Sequence, residues 1–374
     1  MVSFDFPEIC VALANSLTPT TDVGLFMPEV VVRPLQPDLH PGVHLETFKK
    51  PRLRQPVQQL AMCRDIVRAL RRFKPDVVHV QQGHPWFSPV LFFLRGPAVV
   101  VTIHDVIPHP GDRASMKTPQ PVLNVAWTRA DQVIVHAEAT KQQVVERLHR
   151  EPSTVHVIPH IAIGSAPEGT SPEGDGCTVL FFGRIWPYKG LDHLIRAQPR
   201  LSERVPEARI VIAGQGEDIQ RYREMMSDPS RFEVINEFVS IPRRSELFAR
   251  SAVVVLPYVE ASQSGVVPVA YAFGKPVVVT SVGGLPEMVE DGVNGLVVEP
   301  GDEAALADAI ARLLEQPDLA RAMGAEGKRK LERESTPGRN AEATRRVYER
   351  AVHHAEIDAS SANSTEGRGT SPSE

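Results

Sequence analysis

The chain is poor in the features that mark several common classes of protein. Its 374 residues include only three cysteines, far apart in sequence, so neither a disulfide framework nor a cysteine-based zinc site is expected. No apolar run approaches the roughly 20 residues that span a bilayer, and no signal peptide opens the chain. The net charge of −5 gives no general affinity for nucleic acid. These absences indicate a cytoplasmic globular protein, with peripheral contact at the inner face of a membrane left open.

Sequence motifs of several enzyme classes are absent as well. No strand leads into G-x-G-x-x-G, so a nicotinamide dehydrogenase is less favoured. There is no G-x-S-x-G, no pair of acidic residues with a recognisable hydrolase spacing, and no His/Cys cluster that suits a metal. We therefore expect neither a bound metal ion nor a cofactor.

What the chain does contain is a regular alternation of apolar runs and amphipathic segments. Its length exceeds one typical core, so two domains are expected. The β-branched runs lack polar alternation, which is typical of parallel strands buried on both faces, and the segments between them have helical spacing. The predicted fold class is therefore α/β, with two Rossmann-like, doubly wound domains.

The predicted elements follow this alternation. Strands are expected at residues 22–27, 76–80, 98–103, 132–136, 155–158, 179–182, 209–213, 232–235, 252–257, 276–280 and 295–298. Helices are expected at residues 6–17, 57–73, 85–94, 119–129, 140–148, 191–201, 219–226, 243–251, 266–273, 303–314, 319–334 and 340–356. The proline-rich residues 33–56 are predicted to be irregular.

A break in this alternation divides the chain. Residues 163–176 are rich in Gly, Pro, Ser and acids and are predicted to be a linker between an N-terminal domain at 1–162 and a C-terminal domain at 177–338. A last helix, at 339–357, is long enough to pack back on the first domain. Residues 358–374 have few apolar side chains to bury, so a disordered tail is expected.

Two cations follow the first strand of the second domain. Arg184 and Lys189 flank a proline-containing loop, where Arg can bind a diphosphate by paired hydrogen bonds and Lys as a point charge. A solvated surface pair is the alternative interpretation. Gly183 allows a sharp turn before this loop, and Gly214-Gln215-Gly216 follows the next strand, although a lone G-x-G is weak support for a phosphate site.

A serine-rich loop precedes the short helix predicted at 266–273. Free amides at a helix start attract anions, and Gly265 lets a phosphate approach the amide of Val266. The alternative is an ordinary helix cap by Ser262 or Ser264, which is compatible with phosphate binding. Glu260 would repel phosphates, so we expect it to bond sugar hydroxyls instead.

Histidines follow three predicted strands of the first domain. His104 and Asp105 end one strand, and the spacing favours equally a sugar-facing histidine beside a carboxylate and a structural histidine beside a capping aspartate. His136 ends the next strand, and His160 precedes the linker. His79 lies inside a strand and is predicted to be a core residue.

Together these motifs resemble the retaining glycosyltransferases of the GT-B fold known as family 4. The stronger part of the resemblance lies in residues 182–197 (FGRIWPYKGLDHLIRA), 209–217 (RIVIAGQGE) and 252–302. A looser part lies in residues 75–81 (PDVVHVQ), 99–105 (VVVTIHD) and 132–138 (QVIVHAE).

The resemblance assigns a role to individual residues. Its implied catalytic residues are His104 on the transferred sugar, Arg184 and Lys189 on the donor diphosphate, and Glu260. Its implied donor-binding residues, which hold the base and the phosphates, are Gly183, Gly214, Gly216, Glu237, Phe238, Val239, Ser264, Gly265 and Val266. No metal ion is implied.

The chain departs from the family pattern at two places. The family usually carries a second Glu for the ribose, and its position falls on Pro268 or Val269. Members also usually begin with a strand and a Gly-rich loop, which are expected to be missing from this N-terminal domain.

The function implied is transfer of a hexose from a UDP- or GDP-sugar to an acceptor hydroxyl, with retention, in polysaccharide or glycoconjugate biosynthesis. The acceptor could be a glycan, a glycolipid or a small molecule, and no nucleic acid is expected as a partner. An NDP-sugar 2-epimerase and a non-catalytic nucleotide-sugar-binding protein are the alternatives.

Overall fold

The computed structural model describes residues 1–107, 109, 120–164, 166 and 174–366. Within them the chain forms two parallel β sheets with helices on their faces. The first sheet contains β1 (Val2–Ser3), β2 (Gly24–Pro28), β3 (His44–Phe48), β4 (Val77–Gln81), β5 (Ala98–Thr102), β6 (Gln132–Val135) and β7 (Val155–Val157), in the order β3-β2-β1-β4-β5-β6-β7. The second contains β8 (Thr178–Phe182), β9 (Arg209–Ala213), β10 (Phe232–Ile235), β11 (Val253–Leu256), β12 (Val277–Thr280) and β13 (Gly295–Val298), in the order β10-β9-β8-β11-β12-β13.

Most helices of the described part lie between successive strands, and the last three follow the last strand. Those of the first half are α1 (Pro7–Leu17), α2 (Glu29–Val32), α3 (Pro56–Phe73), α4 (Gln120–Arg129) and α5 (Glu138–Leu148). Those of the second half are α6 (Leu191–Arg204), α7 (Gln220–Arg223), α8 (Ile241–Arg250), α9 (Val266–Ala272), α10 (Leu285–Met288), α11 (Glu303–Glu315), α12 (Pro317–Glu334) and α13 (Pro337–Glu366). No helix of the described part is long and apolar enough to cross a membrane.

Both faces of each sheet are buried, which explains the unbroken apolar runs in the sequence. In β5, Val99 and Val101 join one core cluster while Ala98 and Val100 join another on the opposite face. Successive side chains of a strand point to opposite faces, so a strand covered on both sides needs apolar residues throughout. The predicted α/β class is confirmed.

The first sheet contains the strand that was expected to be missing. β1 is only two residues long and lies in the middle of the sheet, where Val2 is opposite Phe26 of β2 and Val80 of β4. Two residues carry no periodic signal, so sequence analysis did not detect this strand. The loop that follows reads Phe-Asp-Phe-Pro instead of being Gly-rich, and Phe6 adopts a left-handed backbone with φ 58°.

Two further predictions for the first half are wrong. The proline-rich stretch contains β3, an edge strand whose residues are half-buried or exposed, so it lacks the apolar run of an interior strand. Residues 85–94, predicted to be a helix, form only the 3-10 helix Ser88–Phe93. In a helix over 85–94 Pro89 would lie in the interior and could not donate to the carbonyl of Pro85, whereas in the observed 3-10 helix it lies in the first turn, where no donor is needed. In the second half, the helix predicted at 219–226 is limited to α7.

The last helix returns to the first sheet. α13 packs against α1 and against β4, β5 and β6, and Tyr348 Oη lies 2.7 Å from His79 Nδ1. This helix runs to Glu366, so the prediction of a disordered tail from residue 358 is wrong as far as that residue. The segment contains Ala and Glu, which favour a helix even where nothing needs to be buried. The rest of the predicted tail, and most of the predicted linker, lie outside the described residues.

Candidate active site

Side chains of the two α/β units meet at the carboxyl ends of their strands. His109, which follows β5, places Nδ1 3.1 Å from Oε1 of Glu260, which follows β11. The Thr140 hydroxyl donates to the carbonyl of Ser262 across 3.4 Å. The carboxyl ends of parallel strands are where ligands bind in open α/β sheets. The two binding edges therefore face one another across a cleft.

His109 bridges carboxylates of both units. Its Nε2 lies 3.1 Å from Asp105 Oδ1, and its ring stacks on Tyr188 with 4.4 Å between ring centroids. Burial lowers the pKa of His109, but the hydrogen bonds and charges of Asp105 and Glu260 outweigh burial and raise the pKa above its ordinary value. Burial raises the pKa of Asp105, but the hydrogen bond and charge of His109 outweigh it and bring that pKa to about 2.

Sequence reasoning missed His109, although it named both of its partners. The available signal was the spacing of four residues between Asp105 and His109 directly after a strand end. That spacing alone does not show that a carboxylate of the other unit completes the bridge. The structure therefore adds to the predicted site a histidine that bonds a carboxylate of each unit.

Lys189 lies inside the cleft among aromatic rings. Its Nζ is 3.7 Å from the ring centroid of Tyr258 and 4.9 Å from that of Tyr188. Burial, and to a smaller extent the Arg184 guanidinium, lower the pKa of Lys189 to about 8 against the opposing effects of Tyr188 and Asp105. Arg184 is exposed and donates to the Tyr188 hydroxyl across 3.3 Å. The predicted cation pair is thus held at one strand end by a shared tyrosine.

Glycines let the loops after β8 and β9 approach closely. Gly183 has φ 122° and Gly214 has φ 148°, in the region that side chains disfavour. A Cβ on Gly214 would lie 1.8 Å from the carbonyl oxygen of Gly183. Gly216, in the same loop as Gly214, forms an isolated β-bridge with Ile185. The weak G-x-G signal therefore marks loops that touch the Arg184 loop.

The residues predicted to hold the base follow β10. Glu237 and Phe238 are exposed, with 80% of Phe238 accessible, and Val239 is half-buried. An exposed phenylalanine at the end of a strand offers a flat apolar surface on which a base could stack. The structure thus leaves a surface of suitable chemistry at the predicted place.

The serine-rich loop before α9 is internally bonded. Ser264 is buried, its hydroxyl accepts from the Val266 amide at 3.2 Å, and it lies 3.3 Å from the Tyr258 hydroxyl. This bond forms a local turn, whereas the N-cap residue of α9 is Gly265 and no side chain caps the helix, so the helix-capping alternative is not observed. Gly265 has open space beside its Cα, so the loop remains accessible on its outer side.

No carboxylate stands where the family places its second Glu. Pro268 and Val269 both lie within α9 and are buried, Val269 in the core cluster behind the helix. A carboxylate at either position would be desolvated in an apolar region. The absence of the second Glu is therefore consistent with the way in which α9 packs against the core.

His104 lies deep at the end of β5. It is 3% exposed, its ring stacks on Phe6 at 4.1 Å, and its Nε2 lies 3.2 Å from Gln81 Oε1. Burial lowers the pKa of His104 to about 3, with a further lowering from His136, so the ring is neutral near pH 7. Among the described residues its Nδ1 has no hydrogen-bond partner.

Two further histidines surround His104. His136 lies 4.9 Å and His160 5.9 Å from its ring centroid, and the two lie 4.0 Å from each other. The sequence motifs indicated no cluster suitable for a metal, but these three side chains offer nitrogen atoms within 4.8 Å of one another. Their strands are neighbours in the sheet but distant in sequence.

Two family models match this chain. The one described as Glycosyl transferases group 1 matches residues 176–316, and the one described as Glycosyltransferase Family 4 matches residues 12–161. Together the two matches span more than half of the chain and both α/β units.

Curated relatives agree with this assignment. A D-inositol 3-phosphate glycosyltransferase of Streptomyces griseus subsp. griseus is 28% identical over 362 residues, covering 84% of this chain and 74% of that protein. The enzyme of the same name from Streptomyces scabiei is 27% identical over 376 residues, covering 91% of this chain and 81% of that protein.

Solved structures show the same fold at lower identity. Sucrose-phosphate synthase of Thermosynechococcus elongatus has a TM-score of 0.72 and 18% identity, covering 93% of this chain and 98% of its own. Anabaena HepE in complex with UDP and glucose has a TM-score of 0.69 and 17% identity, covering 92% of this chain and 97% of its own. The chain therefore belongs to the family 4 glycosyltransferases of the glycosyl transferases group 1, and its fold is GT-B.

Proposed function

We propose that this glycosyltransferase moves a hexose from a UDP- or GDP-sugar to an acceptor hydroxyl, with retention at the anomeric carbon. The observation that carries the proposal is the pair of cations Arg184 and Lys189, which share contact with Tyr188 at the edge of the cleft. The second unit binds the donor and the first binds the acceptor. HepE, which is similar in fold, has been solved with UDP-glucose, which supports a uridine donor as the first to test.

Arg184 and Lys189 serve the leaving group in this proposal. Negative charge grows on the diphosphate as the bond to the sugar breaks, and two fixed cations stabilise it. A well-placed group of this kind lowers a barrier by about 3–4 kcal/mol. The reaction then needs no metal ion on the diphosphate.

The carboxylates of the cleft argue against a covalent intermediate on the protein. Asp105 and Glu260 both bond His109, and this engagement makes each a poorer nucleophile. We propose that the acceptor oxygen attacks on the face that the diphosphate leaves. The bond between the anomeric carbon and the diphosphate oxygen breaks, the bond to the acceptor oxygen forms, and the acceptor proton passes to a phosphate oxygen.

The remaining residues bind rather than react. Glu260 contacts hydroxyls of the transferred sugar, and Phe238 with its neighbours holds the base. His104 is buried and its Nε2 is bonded to Gln81, so it does not contact the sugar in this proposal. Gly265 leaves room for a phosphate beside the Val266 amide, which bonds the Ser264 hydroxyl before the donor arrives.

The test replaces each cation and compares it with a matched surface residue. Arg184→Ala and Lys189→Ala should lose transfer from the donor by about 100-fold or more while keeping the melting temperature of the wild type. Arg200→Ala, which removes an exposed ion pair with Asp308, and Lys328→Ala should leave transfer unchanged. Near-normal turnover of both cleft variants would overturn the diphosphate assignment. A thermal-shift panel of UDP, GDP and ADP selects the donor base beforehand.

The buried residues at the second Glu position favour one other function. Pro268 and Val269 remove the expected ribose carboxylate, which is compatible with a protein that binds a nucleotide sugar without turning it over. Calorimetry that detects UDP-sugar binding, with neither transfer nor hydrolysis by product analysis, would favour that function. Formation of an epimer from UDP-N-acetylglucosamine would instead identify an epimerase.

We also propose that the first unit docks on an anionic membrane surface to reach a lipid-linked acceptor. Phe92 and Phe93 are 52% and 78% exposed, and Arg71, Lys74 and Arg95 line the same hollow of about 780 Å³. Aromatic side chains beside cations suit the boundary between headgroups and acyl chains.

Vesicle flotation tests this docking. Wild-type protein should float with vesicles that contain phosphatidylserine and not with phosphatidylcholine alone, and Phe93→Ser should reduce flotation. Phe238→Ser, an exposed phenylalanine of the other unit, is the matched control. Equal flotation of wild type and Phe93→Ser would contradict the proposed surface.

A further inference from the structure

Three histidines converge at the ends of neighbouring strands β5, β6 and β7. His104 and His160 are buried and His136 is half-buried, and their available nitrogens lie within 4.8 Å of one another. The rings of His136 and His160 stack at 4.0 Å with 25° between planes. Two imidazolium ions would repel each other at this distance, so the cluster is built from neutral rings, the form that binds metals.

Hydrogen bonds outside the cluster fix which nitrogen is bare in two of the three rings. His136 donates from Nδ1 to the carbonyl of Ile158 at 2.8 Å, which leaves its Nε2 as a lone pair. His104 donates from Nε2 to Gln81 Oε1, which leaves its Nδ1 as a lone pair. A histidine that binds a metal usually donates its other ring N–H to a neighbouring group, which fixes its tautomer and orientation.

The bare nitrogens have nothing to bind within the described residues. His104 Nδ1, His136 Nε2 and His160 Nε2 are all inaccessible to solvent and without a hydrogen-bond partner. Buried polar atoms are normally satisfied. A cation bound by all three rings would satisfy these nitrogens together.

We propose that His104, His136 and His160 form a binding site for a divalent transition metal, with Zn²⁺ as its natural occupant. Three imidazole nitrogens are a donor set that Zn²⁺ favours, with a water molecule as the fourth ligand. Zinc–nitrogen bonds of about 2.0–2.1 Å require nitrogens about 3.4 Å apart. The rings must therefore move from their observed positions when the metal binds.

The site joins neighbouring parts of the first sheet. Its metal would hold the ends of three strands together and fix the ring of His104, both of whose nitrogens are then engaged. The side chain of Gln263, from the opposite unit, lies beside His160 and can accept a hydrogen bond from it, so the cluster contacts both units.

Metal titration of the full chain tests the proposal. After chelator treatment and desalting, the wild type should bind one Zn²⁺ per chain by calorimetry and by elemental analysis. Co²⁺ should give visible absorption bands of a tetrahedral site, which Zn²⁺ abolishes. His136→Ala and His160→Ala should lower the Zn²⁺ affinity by more than the roughly 10–100-fold typical of losing an outer-shell partner. His353→Ala, at an exposed histidine of α13, is the matched control.

A Zn²⁺-binding measurement on the wild type is sufficient to overturn the proposal. Absence of stoichiometric Zn²⁺ binding, or unchanged affinity in folded His136→Ala and His160→Ala, excludes the site. Melting curves recorded without metal show whether each variant is folded, and Zn²⁺ should raise the melting temperature of the wild type alone among these three proteins. UDP binding, measured in the same preparations, reports on the proposed transferase function separately, since the diphosphate residues are not altered.

Discussion

Lys189 should take up a proton when the donor diphosphate binds. Burial among Tyr188 and Tyr258 lowers its pKa to about 8 in the free protein. A diphosphate beside the ammonium favours the charged form and should return the pKa towards the ordinary value of about 10.4. At pH 8.5 about a quarter of the free side chains are charged, so binding of UDP should take up about 0.7 proton per site.

The change in the pKa of Lys189 also determines how the affinity for UDP depends on pH. The charged fraction of Lys189 in the free protein falls from about nine tenths at pH 7 to about one tenth at pH 9, so the affinity for UDP should fall about tenfold over that range. The lowered pKa of Lys189 also affects the stability of the fold, and this effect changes with pH in the opposite direction to the affinity. A lowered lysine pKa destabilises the fold fully below pH 8, and this destabilisation disappears as the pH rises from about 8 towards 10.5.

Calorimetry in two buffers of different ionisation enthalpy measures the proton uptake. Wild type and Arg184→Ala should both take up a proton, with the maximum for Arg184→Ala at higher pH, because the guanidinium lowers the pKa of Lys189. Lys189→Met should show none. An affinity that does not change between pH 7 and pH 9, or equal uptake by wild type and Lys189→Met, would refute this reasoning.

Two other predictions concern the loops and the bridge. Gly214→Ala should destabilise the protein by about 3 kcal/mol or more in urea unfolding, because its Cβ would collide with the backbone of Gly183, whereas Gly338→Ala, with open space in α13, should be neutral or slightly stabilising. Equal effects of the two would contradict the close approach. His109→Phe should remove a pH-dependent stabilisation, which is complete below the unfolded pKa of about 6.5 and lost as the pH rises through the raised folded value. Melting temperatures of wild type and His109→Phe should therefore differ most near pH 6 and converge towards pH 9, and a constant difference would rule out the charged bridge.

The sequence by itself determined the fold class and most of the strands. β-branched runs such as Val253–Leu256 specify an interior parallel strand, because a strand buried on both faces needs apolar residues at every position. The same reasoning failed for β1, which has too few residues for a pattern, and for β3, which is an edge strand with little to bury. Local sequence carries a signal only where burial demands a repeated residue type.

Tertiary structure alone decided how the site is assembled. The strand ends that carry His104, His136 and His160 are separated along the chain, and only the order of strands in the sheet makes them neighbours. The bridge from His109 to Glu260 depends on how the two units face one another, which no local pattern encodes. The sequence therefore determined which residue types lie at the strand ends, and the packing of two sheets decided which of them meet, because contacts between distant segments depend on topology rather than on spacing.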